Sequence, residues 1–416
     1  MPTLILLFTH AMSLKEWRRT GMLSRELALY RALLAHYPRI LLASYGRADD
    51  LEVLHAALPP AEAHRFTLIA NTRGLPLDDY TAQLPTLIQA ALPDASPIIL
   101  KTNQLAGADV AVAIAHHLRA SGRTVALIAR GGYHYSAFVA HEHAPNSPPH
   151  AAAVAKERLA CTHADLVIGT SQEMLDALVS LHSLDPANTT LIPNYVIPFS
   201  STPPLIDSST FLSQGRTIPL VQPPPTFLYA GQLITRKRVD LLIEAFANWR
   251  STSTLPWAVR GPARLDIYGD GPQSSSLRQL ATCLSAPVFF YNRVPHEELL
   301  GAMSRCTLYI QPSVLEGHPK TVIEAMAAAR PVLVADAPGM NVITDGVTGR
   351  KVPPTVPALV AAIDELMRDP DERERLASNA AHYAHTHYGL DTIVTLELAA
   401  HQRALSSTQP LVHSTT

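Results

Sequence analysis

Cysteine is scarce in this 416-residue chain: Cys161, Cys283 and Cys306 are far apart and odd in number. That argues against a disulfide framework and a zinc site, and it fits a reducing, cytoplasmic setting. Charge is sparse as well, at 16% of residues, and it cancels, with 33 Lys and Arg against 35 Asp and Glu. The net charge of −2 supplies no whole-chain attraction to nucleic acid. No apolar run approaches the roughly 18 residues needed to span a bilayer. Residues 4–8 are apolar but short, with no positive residue before them and no small-residue cleavage site after them. They read as a first buried strand rather than a signal peptide. What the chain does have is 47% hydrophobic residues, enough for a substantial core, so global disorder is excluded. At about 150 residues per domain the length suggests two or three domains, two being the better prior.

Short β-branched and Leu-rich runs alternate with longer helical patterns. Strands are predicted at 3–9, 39–44, 65–70, 97–102, 124–129, 165–169 and 189–193, with helices between them. Strands buried on both faces with helices between them imply parallel βαβ units. Composition then changes: residues 198–225 hold seven prolines, Pro198, Pro203, Pro204, Pro219, Pro223, Pro224 and Pro225. Such a stretch supplies neither a central strand nor a helix interior and reads as an interdomain linker. Alternation resumes with strands at 227–230, 264–268, 288–291, 307–311 and 332–335. The expected class is therefore α/β, with two Rossmann-like parallel-sheet domains facing across a cleft. Their spans are 1–197 and 226–388, and 389–416 forms a C-terminal helix crossing back to the first domain, frayed after Arg403. Ligands of open parallel sheets sit at the carboxyl ends of the strands.

Residues 313–329 read SVLEGHPKTVIEAMAAA. A strand ends, a polar turn follows, and a helix starts near Pro319, since proline suits the first turn of a helix. The free N–H groups and dipole of that helix end can hold an anion. Glu316 lies in the turn and Glu324 in the helix, with seven residues between them. Carboxylates there can accept hydrogen bonds from sugar hydroxyls or stabilise positive charge on a sugar ring. A helix-start Glu and a solvated surface Glu would give the same letters.

The segment resembles the Glu, seven residues, Glu signature of retaining glycosyltransferases of the family 4 type, which have the GT-B fold. Gly317 and Pro319 match the family's turn, while His318 and Lys320 stand where an aromatic or Thr, and Asn, are frequent. Residues 227–247, FLYAGQLITRKRVDLLIEAFA, resemble the first donor-domain strand with its glycine turn and basic pair. Gly231 is read as permitting a tight turn. Lys237 aligns with the family's phosphate-binding lysine and Arg236 stands beside it. Gln232 occupies a position where Arg is frequent. Residues 265–272, LDIYGDGP, resemble the second donor strand but lack the third glycine of a dinucleotide fingerprint. Arg293-Val294-Pro295 resembles the loop whose backbone reads the nucleobase, so Val294 is a donor-binding candidate.

The first half matches less closely. In place of a Gly-Gly turn after the first strand stands THAMSLKEWRRTG, residues 9–21. Gly21 precedes a helical pattern, so its backbone could approach a phosphate; a plain turn is the other reading. Residues 130–138, RGGYHYSAF, follow a strong strand and resemble the segment that places a His beside the sugar. His134 is the candidate, as a hydrogen-bond partner or proton acceptor, with a structural histidine as the alternative. Tyr133 and Tyr135 suit sugar stacking or core packing equally. His141, His143 and His150 lack a partner set for a metal. The one Asp-x-Asp, Asp369 and Asp371 around Pro370, reads as a helix cap.

The resemblance implies a retaining glycosyltransferase that uses a nucleotide-diphosphate sugar and needs neither metal nor other cofactor. Its acceptor would be a glycan, a lipid-linked molecule or a small molecule, in glycan or cell-envelope polysaccharide assembly. Glu316, His134 and Lys237 would act in catalysis. Gly231, Arg236, Lys237, Val294, Glu316, Gly317, His318, Pro319, Lys320, Glu324 and Gly21 would bind the donor. Nucleic acid is not an expected partner. A cytoplasmic location is expected, with peripheral contact at the inner membrane face left open. A sugar-nucleotide epimerase on the same fold, or a non-catalytic nucleotide-sugar-binding subunit, remain as alternatives.

Overall fold

The computed structural model describes residues 1–92, 96–197, 224–256 and 260–408. Residues 198–223, most of the Pro-rich stretch read as a linker, lie outside the described residues. The chain divides into two compact units. One runs from Met1 to Asn194 and takes in the chain from Leu390 onward; the other runs from Tyr195 to Gly389.

The first unit holds seven parallel strands: β1 Thr3–Leu7, β2 Ile40–Ala43, β3 Phe66–Ile69, β4 Ile98–Thr102, β5 Val125–Gly131, β6 Leu166–Gly169 and β7 Thr189–Leu191. They are ordered β3-β2-β1-β4-β5-β6-β7. β1 pairs in register with β2 (Leu4 with Ile40) and with β4 (Thr3 with Ile98). Every residue of β1, β2, β4 and β5 is buried, which is why these segments read as unbroken apolar runs rather than alternating ones.

The second unit is built on six parallel strands: β8 Thr226–Ala230, β9 Arg264–Tyr268, β10 Val288–Tyr291, β11 Leu308–Gln311, β12 Val332–Ala335 and β13 Arg350–Val352. Their order is β10-β9-β8-β11-β12-β13. Strand alternation splits β8 between two cores. Phe227 and Tyr229 join the cluster containing Phe246 and Trp249 of helix Val239–Thr252. Leu228 and Ala230 join the cluster containing Val322, Ile323 and Met326 of helix Lys320–Ala327. The sequence reading missed β13, since RKV at a sheet edge is short and two-thirds charged.

In each sheet the order reverses direction between two neighbours, β1 and β4 in the first, β8 and β11 in the second. The loops leaving the carboxyl ends of such neighbours diverge and leave a crevice, the usual ligand position in open α/β sheets.

The last helix, Leu390–Thr408, belongs to the first unit. It runs past Arg403, where the sequence suggested fraying; Ala404 is fully buried. Its attachment is a buried ion pair. Lys101 Nζ of β4 donates to Glu397 Oε1 at 2.5 Å, and neither side chain is more than 1% exposed. His401 Nε2 lies 3.4 Å from Glu397 Oε2, and His401 Nδ1 is 2.8 Å from the Tyr37 hydroxyl.

Candidate active site in the second unit

The two loops that leave β8 and β11 carry the strongest sequence signals, and they meet. After β8 the chain makes a 3-10 turn at Thr235–Lys237. After β11 it runs through Ser313 to Glu316 before helix Lys320–Ala327 begins, with Pro319 as its N-cap residue. Lys237 Nζ donates to Glu316 Oε1 in a short contact, and Arg236 Nη1 lies 3.5 Å from Glu316 Oε2. Backbone contacts lock the loops together: Val314 N–H donates to Arg236 O at 2.9 Å, and Arg236 Nη1 donates to Leu315 O at 3.0 Å.

Glu316 lies in the turn, as the sequence suggested, and is 8% exposed. Its N–H donates to Pro338 O at 3.0 Å. Gly339 follows at φ 82°, and a Cβ there would lie 2.0 Å from Glu316 O, so only glycine lets the loop after β12 brace this residue. Gln311 Nε2, at the end of β11, donates to Glu316 Oε1 at 3.0 Å. The buried Tyr309 hydroxyl donates to Gln311 Oε1 at 3.0 Å and lies 2.8 Å from Thr321 Oγ1 of the following helix. Tyr309 and Gln311 were missed in the sequence reading. The period-2 rule that sends residues 309 and 311 to one face of β11 is the signal that could have found them.

Burial works to raise the Glu316 pKa, but Lys237 and Arg236 outweigh it, so the carboxyl is held below its ordinary range. Burial lowers the Lys237 pKa, with Arg236 adding to the effect and Glu316 opposing it. The three groups form one compact charge cluster in which two cations share one carboxylate. Such a cluster keeps a net positive charge that a diphosphate can take up.

The remaining candidates fall around this cluster or apart from it. Gly231 follows β8, but the tight-turn reading needs correction. Its φ is not positive, and the reason for glycine is that a Cβ would lie 2.7 Å from Tyr229 Oη. The half-buried Gly317 and the 8% exposed His318 lie between Glu316 and Pro319. The His318 ring packs edge-on against Tyr388 at 5.0 Å between centroids. Lys320 opens the helix, and Val294 sits half-buried in the loop after β10.

Glu324 falls in the second turn of its helix and is 2% exposed, not aimed outward as a solvated helix Glu would be. Its Oε1 lies 2.9 Å from Nε2 of His296, the first residue of helix His296–Met303, itself 5% exposed. His296 is another residue that sequence reasoning missed.

In the first unit, Gly21 sits at φ 72° behind helix Leu14–Arg19, and its N–H donates to Arg18 O at 3.1 Å. It ends a helix, and its amide is engaged in that turn. His134 follows β5 and is the N-cap residue of helix Tyr135–His143. Its Nε2 lies 3.5 Å from the buried Glu157 Oε2. The tilted rings of Tyr133 and Phe138 pack at 4.6 Å between centroids, and Tyr135 packs on the cluster of Leu105, Ala129 and Val167. Asp369 caps helix Pro370–Tyr388 by accepting from Glu372 N–H at 2.9 Å. Among the described residues no group of three or more His, Cys, Asp or Glu is placed to hold a metal.

Residues 216–383, most of the second unit, match the family described as Glycosyl transferases group 1. Solved structures extend the likeness to both units. Anabaena HepE in complex with UDP and glucose superposes with a TM-score of 0.68 over 96% of this chain and 99% of that one, at 19% identity. Sucrose-phosphate synthase from Thermosynechococcus elongatus gives a TM-score of 0.68 over 98% and 100% of the two chains, at 18% identity. The fold is GT-B.

Curated relatives of this GT-B chain include the alpha-D-kanosaminyltransferase of Streptomyces kanamyceticus, 33% identical over 40% of this chain and 42% of that protein. The D-inositol 3-phosphate glycosyltransferase of Streptomyces coelicolor is 27% identical over 65% and 62%. The chain thus spans less than two thirds of the length of either. Among the described residues no helix is long and apolar enough to cross a membrane.

Proposed function

We propose that this protein is a metal-independent glycosyltransferase that moves a sugar from a nucleotide-diphosphate sugar to an acceptor hydroxyl with retention of anomeric configuration. The observation that carries the reading is the gathering of Lys237 and Arg236 on Glu316 where the loops of β8 and β11 meet. The leaving nucleoside diphosphate gains negative charge as the sugar bond breaks, and fixed cations there act most strongly in the transition state. Lys237, Arg236 and the first amides of helix Lys320–Ala327 hold the diphosphate. Glu316 faces the sugar and stabilises the positive charge that develops on its ring. Glu324 accepts hydrogen bonds from the ribose hydroxyls. The acceptor hydroxyl attacks from the leaving-group side, and a phosphate oxygen takes its proton.

The match of residues 216–383 to group 1 glycosyltransferases and the likeness to a UDP-bound structure support the donor class. The acceptor is proposed to be a glycan, a lipid-linked molecule or a small molecule in glycan assembly, met in the cytoplasm or at the inner membrane face. The test is turnover of a panel of UDP-, GDP- and ADP-sugars with and without hydroxyl acceptors, with the anomeric configuration of the product read by NMR. Transfer with retention that is lost in Glu316→Gln is expected. Donor conversion without acceptor would instead identify an epimerase, and binding without turnover of any donor a non-catalytic subunit.

A further inference from the structure

His134 belongs to a buried cluster that the donor chemistry does not use. Glu157, in the middle of helix Pro148–His163, is fully buried. Its Oε2 is approached by three groups from two other helices. Ser136 Oγ donates to it at 2.6 Å, His182 Nε2 lies at 3.2 Å and His134 Nε2 at 3.5 Å. Ser136 Oγ is also 3.2 Å from His134 Nε2, and the Ser136 N–H reaches Glu157 Oε1 at 3.4 Å. Burial works to raise the Glu157 pKa, but the hydrogen bonds from His134 and Ser136 outweigh it and hold the carboxyl below its ordinary range. The carboxylate is therefore an acceptor at both oxygens.

The proton count then places a hydrogen on one nitrogen of the His134 ring. A serine hydroxyl has one proton, and Ser136 gives it to Glu157, so Ser136 Oγ can only accept from His134. Both neighbours of His134 Nε2 are acceptors, so Nε2 must carry a hydrogen. In a neutral imidazole the lone pair then sits on Nδ1. Among the described residues no hydrogen bond reaches Nδ1. The His134 side chain is 23% exposed, against 0% for Glu157, and it stands at the carboxyl end of β5, on the ligand side of the sheet.

We propose that Glu157 is a positioning residue that, with Ser136, keeps the His134 proton on Nε2 and so presents Nδ1 as a hydrogen-bond acceptor for a sugar hydroxyl. The kinetic consequence rests on the glycosyltransferase reading above; the ring state does not. Gly131 ends β5 and Gly132 follows it, under tight packing at both Cα positions that fixes where His134 emerges. The Gly132 N–H donates to Gln104 Oε1 at 2.7 Å, and Gly132 O accepts from Thr170 Oγ1 at 2.9 Å. The turn leading to His134 is thus anchored at Gly132 by the loops after β4 and β6, and the ring's Nε2 faces the buried carboxylate.

The test uses the full chain with ring-labelled histidine, His134 being assigned by the signal lost in His134→Ala. The expected NMR result, without any substrate, is the Nε2-protonated form at neutral pH, weakened in Glu157→Gln. An Nδ1-protonated ring in the wild type, or a ring unchanged in Glu157→Gln, overturns the proposal whatever the enzyme's activity. The second arm is kinetic. Glu157→Gln, with a melting curve close to wild type, is expected to lower turnover by up to about tenfold, the scale of one hydrogen bond to the sugar. It should add nothing in a His134→Ala background. Equal turnover in Glu157→Gln and wild type, or independent effects in the double variant, also overturns it. Failure to turn over any donor would instead sink the glycosyltransferase reading and leave the ring result standing.

Discussion

Lys237 Nζ donates to Oε1 of Glu316, 79 residues further along the chain. A cation and a carboxylate from two different loops are thereby held against each other, with Arg236 as a second cation on the same carboxylate. A diphosphate entering this cluster gains two cations and meets one negative charge.

Two opposite effects of Glu316→Gln follow. Turnover should fall by roughly 100-fold or more, the scale for losing one preorganised charge-stabilising group. Nucleoside diphosphate should bind more tightly than to wild type, because the repelling carboxylate is gone while Lys237 and Arg236 remain. Steady-state kinetics and calorimetric titration with UDP check both; unchanged turnover or weaker UDP binding contradicts the assignment.

Glu324→Gln should behave differently. A ribose does not change charge during the reaction, so a contact to it is equal in ground and transition states. Its loss raises the donor KM with little change in kcat. Glutamine also keeps an oxygen for His296 Nε2, which Glu324 Oε1 now meets at 2.9 Å. The same kinetic pattern in Glu316→Gln and Glu324→Gln would show that the roles are not separate.

Lys101 and Glu397 tie the last helix to β4 inside the first unit. Glu397→Gln leaves Lys101, a fully buried cation, without its counter-charge, and breaking such a pair costs about 3–5 kcal/mol. Replacing both, as Lys101→Met with Glu397→Leu, should recover most of that loss, since a buried pair is often no better than apolar residues of similar volume. Urea unfolding of the single and double variants decides it.

Acid stability should be lost in two steps in this unit. Burial dominates at His401 and depresses its pKa below the ordinary 6.5. Between those values the unfolded chain binds the proton and the folded one does not, so stability falls as pH drops below about 6.5. Glu397 is also depressed: burial raises it, but Lys101 and His401 outweigh that, so its contribution is present above about 4.5 and lost below. His401→Gln should flatten the melting-temperature curve in the upper window and leave the loss below pH 4.5. An unchanged upper window would contradict the His401 assignment.

Turnover is expected to survive a chelator, because Lys237, Arg236 and a helix N-terminus supply the positive charge. Activity lost in EDTA and restored by magnesium or manganese would contradict this.

The α/β class was legible because strands buried on both faces write unbroken apolar runs, as in β1, β2 and β5. Short pieces escaped: β13 is three residues with two charges, and helix Leu14–Arg19 hides in a stretch read as a loop. At the site, Glu316, Lys237 and Arg236 were visible as types in a pattern, because a turn before a proline-started helix and a basic turn after a strand are local features.

Their relationships were not visible. Which cation meets which carboxylate depends on β8 and β11 being neighbours across the reversal of strand order, a pairing of segments some 80 residues apart. His296 and Glu157 carry no local mark, since each acts by facing a partner from another element. The sequence by itself determined the elements and the chemical types at their ends, through short-range sterics and hydrophobic periodicity. Only tertiary packing decided that Glu316 is buried between two cations, that Glu324 lies against His296, and that Glu157 holds the ring of His134. Those contacts arise when separate helices and strands close on one another and exclude water.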